Sequence, residues 1–150
     1  MRIGRTNKAR SVVQSGGDIA QPLDMVVGPD GRFAYLTSVS AGSDGLGALV
    51  RLDLSTGQTA LLTGAGELRA PSGLAYDWNG DFLVTHTGLI PPFTNEGRVV
   101  RVPQAGGTPE PVSAGGLLSS PEGLAVFAPE PDAALGGAAA RGLAARRRRG

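Results

Sequence analysis

The chain has no cysteine and a single histidine, His86, among its 150 residues. The first absence excludes disulfides, thiolate zinc sites and cysteine nucleophiles, and it leaves the redox compartment open. The second leaves a Ser-His-Asp triad little to build on, and the serine elbow G-x-S-x-G occurs nowhere in the sequence. No amphipathic stretch of helical period separates the apolar runs, which argues against a doubly wound α/β fold. The N-terminal "MRIGRTNKARSVV" lacks the apolar stretch of about 7 to 15 residues that a secretory signal carries. The chain therefore reads as cytoplasmic or as starting downstream of a longer protein's beginning.

Glycine and proline, by contrast, are abundant, with 24 and 11 copies. They punctuate the chain too often for long helices, so many short elements joined by turns are expected within one domain. Residues 1–132 hold nine Lys/Arg against all 13 acids, a net −4, and the last 18 residues hold five arginines and no acid. A mildly acidic body with a basic tail is not the footprint of a sequence-specific nucleic-acid binder, which spreads cations over a folded face.

A repeat organises the body. Gly17, Gly66 and Gly116 each stand five residues before a proline, Pro22, Pro71 and Pro121, at spacings of 49 and 50. "PLDMVVGPDGRFAYLTS" runs beside "PSGLAYDWNGDFLVTH", with Gly31 opposite Gly80, Phe33 opposite Phe82, and one extra residue before Thr37 meets Thr85. Further on, "GALVRLDLSTGQTALL" matches "GRVVRVPQAGGTPEPV". Within each copy, "GLAYD" and "DFLVT" are strand-length apolar runs around an Asn-Gly turn, "RVVRV" alternates at period 2, and "TALLT" or "EPVSA" is a more polar outer strand.

A four-stranded unit of about 50 residues, repeated, predicts an all-β fold made of β-propeller blades. The expected divisions are 1–21 as the end of a preceding blade, 22–70 and 71–120 as complete blades, 121–128 as the start of a further one, and 129–150 as a disordered Pro/Ala/Arg-rich tail. Small residues after the prolines, Gly73, Ala75, Gly123 and Ala125, suit an innermost strand where blades crowd. A right-handed β-helix is the alternative. Propellers close with about 4 to 8 blades, so two complete repeats and two partial ones make an incomplete propeller. It is expected to need missing blades or self-association, because open sheets leave unpaired edges.

The pattern P-x-G-L-A-x-D-x-x-G-x-F-x-V-T followed by G-x-V-x-R-V resembles the blades of NHL-type propellers and of the gluconolactonase and senescence-marker-protein superfamily, over about residues 1–128. The resemblance implies functional residues on the face where the chain enters the inner strand and leaves the second strand. It points to Asp24 and Glu122 at the entrances and to Ser38 and His86 at the exits. Relatives of the lactonase type hold a divalent cation, commonly Ca2+, on such positions, as suits oxygen ligands converging from separate blades. Glu122 in "SPEGLA" resembles the acidic entrance ligand, whereas the exit position that often carries Asp is Ser38 in one repeat and His86 in the next. The expectation is a non-catalytic binding or structural module with no cofactor, whose partner is a protein or a carbohydrate. The alternative is a divalent-cation-dependent lactonase-like hydrolase in which Asp24, His86 and Glu122 are the candidate ligands.

The remaining motifs read as structural. Asp30, Asp77 and Asn79 fit turns better than a calcium loop, whose other ligands are missing. Trp78 reads as a packing residue, and His86 as a histidine bonded to backbone or bathed in water. "SAGSDGLGA" lacks the Lys-Ser/Thr ending of a phosphate loop and reads as an inter-strand connection. Beyond "AVFA", the order Pro129-Glu130-Pro131, small-residue run and Arg146 to Arg149 resembles the PEP-CTERM sorting signal of bacterial envelope proteins. The run from Ala133 to Ala145 is 13 residues and contains Arg141, while a membrane span needs about 20 apolar residues. A disordered basic tail, weakly attracted to anionic membranes, is therefore expected, with a degenerate sorting signal as the alternative. If that signal is real, the full-length protein is extracytoplasmic or bound to the cell envelope.

Overall fold

The computed structural model describes residues 2–3, 10–64, 68–87 and 96–127. The tail at 129–150 and the loop at 88–95 lie outside the described residues. Among the described residues the fold is all-β, with no helix. After a short pair, β1 (Arg2–Ile3) and β2 (Arg10–Ser11), the chain makes two four-stranded sheets. The first is β3 (Pro22–Val27), β4 (Phe33–Ser38), β5 (Ala48–Asp53) and β6 (Thr59–Leu61), and the second is β7 (Pro71–Tyr76), β8 (Phe82–His86), β9 (Arg98–Val102) and β10 (Glu110–Ala114). In each sheet the strands stand in chain order and every neighbouring pair is antiparallel. Hairpin-connected antiparallel strands exclude the β-helix, whose coils stack in parallel. Two such sheets, packed through their inner strands and not closed into a barrel, form an incomplete propeller-like arrangement.

The turn chemistry sets the hairpins. Gly31 and Gly80 adopt φ of 68° and 87°, where a side chain is strained. Their amides close turns on the carbonyls of Gly28 and Asp77 at 2.8 and 3.2 Å. Asp77 Oδ1 accepts from the amides of Asn79 (2.8 Å) and Asp81 (3.1 Å), and Asp30 Oδ1 accepts from Arg32. These aspartates are turn residues, as expected. Asp53 does the same beyond β5. Bonds from the hydroxyl and amide of Ser55, then from the Thr56 amide and Arg32, hold its carboxyl far below the usual range against a smaller opposing effect of desolvation.

The strand register corrects one detail of the alignment. Phe82 faces Val102 while Ala34 faces Leu52, and Leu36 and Val84 stand opposite Val50 and Val100. Ala34 is thus the counterpart of Phe82, and the extra residue lies in the first turn, at Arg32, rather than between Phe33 and Thr37. Gly28 closes its turn on the carbonyl of Phe33 and Asp77 on that of Asp81, which is the same one-residue difference.

The main core lies between the sheets. Tyr35 and Leu49 of the first sheet meet Leu74, Phe82, Val84, Val100 and Val102 of the second, with Leu68 from the connection. The Phe82 ring sits 4.6 Å from Tyr35 and 4.9 Å from Tyr76, centroid to centroid. Burying one such ring fully stabilises by about 1.5–3 kcal/mol. The opposite face of the first sheet, Ala34, Leu36 and Leu52, is covered by Val13, Ile19 and Leu54. Trp78 corrects the packing expectation: it is 67% exposed at the tip of the β7–β8 turn, beyond the reach of either core.

Candidate functional site

Where the sheets meet, the residues around each repeat proline are arranged alike. Among the described residues, the three non-glycine residues with left-handed backbone are Gln21, Ala70 and Ser120, at φ of 55°, 46° and 47°, each immediately before a repeat proline. A residue before proline ordinarily goes to extended conformations, so this kink is a repeated device. The carbonyls of Gln21 and Ala70 each accept the amide of the residue leaving the second strand, Val39 (3.2 Å) and Thr87 (3.3 Å). The proline ring then packs on a glycine of the preceding unit. A Cβ on Gly47 would lie 2.3 Å from Pro71 Cδ, and one on Gly97 would lie 2.3 Å from Pro121 Cδ.

Two threonines lock the same joints. The Asp24 amide donates to Thr37 Oγ1 (3.0 Å), and the Thr37 hydroxyl donates across to the Ser72 carbonyl (2.8 Å). In the second unit the Gly73 amide donates to Thr85 Oγ1 (2.7 Å). Ser72 Oγ donates across to the Pro121 carbonyl (2.7 Å). With its proton so used, Ser72 Oγ is the acceptor in its 2.9 Å contact with Thr85 Oγ1. Gly73 has no room for a side chain, since a Cβ there would stand 2.8 Å from the Glu122 carbonyl and 2.9 Å from Thr85 Oγ1. The expected crowding of the innermost strands is therefore real at this position.

Of the sequence-derived candidates, Asp24 and Glu122 come together. They line one cleft of about 550 Å³ with Leu23, Val39, Ala70, Ser72 and Thr87. The carboxylate of Asp24 is engaged, accepting from the Leu74 amide of the next unit (2.8 Å) through Oδ2 and from its own neighbour Met25 (2.8 Å) through Oδ1. Glu122 is exposed.

Ser38 and His86 are not among the cleft's lining residues. Side chains alternate along a strand, so the exit residues that reach the cleft are the next ones, Val39 and Thr87. Ser38 is fully buried, and its hydroxyl donates to the Ala20 carbonyl (2.6 Å) and accepts from the Ala20 amide (2.9 Å). His86 holds the matching place in the second unit. It corrects the expectation of a solvated ring, because it is only 7% exposed, and its Nδ1 finds no hydrogen-bond partner among the described residues. Desolvation, then the charges of Arg98 and Arg69, lower its pKa below the usual histidine value.

A calcium ion takes six to eight oxygen ligands, several of them carboxylate. Among the described residues the cleft offers two carboxylates, Glu122 and an Asp24 whose two oxygens each accept an amide. Among the described residues no three His, Asp or Glu side chains gather as a metal-binding group. Sequence reasoning missed Ser72 and the threonine pair as the polar centre of the joint, although the 48-residue separation of Thr37 and Thr85 was a visible landmark. No protein-family model matches the chain, and no curated protein matches it either.

Proposed function

We propose that the chain is a non-catalytic binding or structural module of propeller-type, NHL-like blades, belonging to a bacterial protein associated with the cell envelope. The observation that carries this reading is the use made of Asp24: its carboxylate clasps the neighbouring sheet through the Leu74 amide. The carboxylate best placed for chemistry is thereby committed to architecture. The cleft beside it is concave and lined by Leu23, Val39 and Ala70 together with Ser72 and Thr87. Such a surface suits a protein side chain or a sugar ring, which needs apolar contact and a few fixed polar groups. The envelope assignment rests on the PEP-CTERM-like order of the C-terminal residues.

One observation favours a second reading, a cation-dependent lactonase-like hydrolase: Asp24 and Glu122 do share the cleft. A melting experiment with and without millimolar calcium, run beside a sugar-lactone hydrolysis assay, separates the two. A ligand specific for the native state at 100 times its Kd adds about 2.7 kcal/mol. The binding reading expects neither a calcium-dependent rise in Tm nor turnover. A rise that Glu122→Gln abolishes, together with lactone hydrolysis, would replace it.

A further inference from the structure

Arg51 and Arg101 hold matching places in the two sheets, since each follows the valine, Val50 or Val100, that pairs with Leu36 or Val84. In the second sheet this cation is neutralised, because Arg101 Nε donates to Asp77 Oδ2 at 3.0 Å. In the first sheet the place of Asp77 is taken by Gly28, which closes the corresponding turn on Phe33 as Asp77 does on Asp81. Arg51 thus lacks the acid of its counterpart, and among the described residues it makes no ion pair. Its guanidinium lies instead over the Phe33 ring, 5.0 Å from the centroid. The register explains the contact, because Phe33 stands opposite Asp53 and residues 51 and 53 share one face of β5.

A second guanidinium stands on the same ring. Arg32 Cζ is 4.7 Å from the Phe33 centroid, and both arginines line one cavity of about 190 Å³ together with Asp53 and Gln58. Asp53 is the single acid among the described lining residues. Its oxygens are engaged, Oδ1 by Ser55 and Thr56 and Oδ2 by Arg32 Nε at 3.3 Å. That bond leaves the terminal nitrogens of Arg32 able to donate. Two cations therefore share a small cavity with one acid, and an anion between them would relieve their repulsion. The ring holds both forks through cation–π contacts, so less side-chain freedom is lost on binding. The cavity is below the roughly 300–1,000 Å³ of a site for a drug-sized molecule and suits one compact anionic group. Guanidinium forks match phosphate oxygens, and a tetrahedral anion offers acceptors in more directions than a planar carboxylate. We propose that this cavity binds a phosphate group, free or carried on a small molecule, between Arg32 and Arg51. It shares no described lining residue with the cleft beside Asp24, so the two readings fail separately.

The test titrates inorganic phosphate into the full chain at about pH 7.5, where a phosphate ester carries about −1.5 to −2 charge. Ionic strength is held constant with chloride, and backbone amide and arginine Nε resonances are followed by NMR. Saturable shifts are expected at Phe33, Arg51 and Gln58. Arg51→Gln, a change at an exposed side chain, should weaken binding roughly tenfold or more, the range for a lost hydrogen bond to a charged group. Arg51→Lys, which keeps the charge and loses the fork, should fall between the two and decides the matter if Arg51→Gln misfolds. Gly28→Asp should also suppress binding, since it restores to Arg51 the acid that Asp77 gives Arg101; a Cβ there would stand 3.2 Å from Asp30 Oδ1, close but without a left-handed backbone to strain it. Glycerol phosphate is the second ligand: tighter binding than phosphate places the group on a small molecule, and equal or weaker binding makes the free ion the ligand. No saturation, the same shifts with acetate at equal ionic strength, or undiminished binding by the Arg51 variants would overturn the proposal.

Discussion

Gly47→Ala tests the joint between the two sheets through a single methyl group. Gly47 adopts φ of 133°, outside the range that L side chains adopt, and the added Cβ would lie 2.3 Å from Pro71 Cδ and 3.1 Å from its Cγ. Backbone strain of this kind costs about 1–3 kcal/mol, and overpacking at a closed contact costs about 1–3 kcal/mol more. The sum, roughly 2–6 kcal/mol, is a large part of the roughly 5–15 kcal/mol that holds a domain together. At about 2–4 °C per kcal/mol for a chain of this size, Tm should fall by about 4–24 °C. Pro71→Ala removes the atoms that Cβ strikes, so in the double variant the steric part should vanish and the backbone part remain. Urea unfolding followed by circular dichroism, arranged as a double-mutant cycle, reads a favourable coupling of about 1–3 kcal/mol. A Gly47→Ala change within about 0.5 kcal/mol of the parent, the range of an ordinary surface substitution, or strict additivity with Pro71→Ala, would refute the described contact.

Three other outcomes follow from single environments. Asp77 has a fully buried side chain that pairs with Arg101 Nε at 3.0 Å and accepts two turn amides; because Arg101 is 34% exposed and can be hydrated in the variant, Asp77→Ala should cost about 1.5–3 kcal/mol in denaturant unfolding, the range for hydrogen bonds to a charged group, and a loss below about 0.5 kcal/mol would contradict the geometry. His86 has a lowered folded pKa, so the unfolded chain takes up the proton first. Stability should be full above the unfolded value near 6.5 and fall as the pH drops through it; His86→Ser, restoring the residue of the first unit, should flatten the slope between pH 7.5 and 5.5, and an unchanged slope would assign it elsewhere. Trp78, exposed at its turn, should tolerate Trp78→Ala within about 0.5 kcal/mol, and a clearly larger loss of Tm would return it to the core.

The architecture was legible because its signals are local and repeated. Period-2 apolar runs, Asn-Gly and Asp-Gly turns and prolines at spacings of 49 and 50 each favour short antiparallel strands, and together they point to one fold. What escaped the sequence depends on which side chains meet across the joint. Asp24 looks like a free carboxylate at an entrance, and only the approach of the Leu74 amide shows that it is a clasp. His86 differs from Ser38 by one letter of the repeat, yet a hydroxyl can serve the Ala20 backbone in both directions, while the ring is left with Nδ1 unmatched. The left-handed residues before the prolines carry no sequence mark at all, since Gln21, Ala70 and Ser120 share no side-chain chemistry. The extra turn residue was misplaced because two phenylalanines aligned by type, whereas the hydrogen-bond register aligns Phe82 with Ala34.

The central claim is that two four-stranded units pack on each other through one aromatic core. Proton NMR of the aromatic side chains tests it most directly, because Tyr35 and Phe82 lie 47 residues apart and on different sheets. With their ring centroids 4.6 Å apart, strong ring-to-ring cross-relaxation is predicted between Tyr35 and Phe82. A weaker set should join Tyr35 to Tyr76, at 5.9 Å. A spectrum that keeps the cross-strand contacts within each sheet and lacks every Tyr35–Phe82 contact would contradict the account.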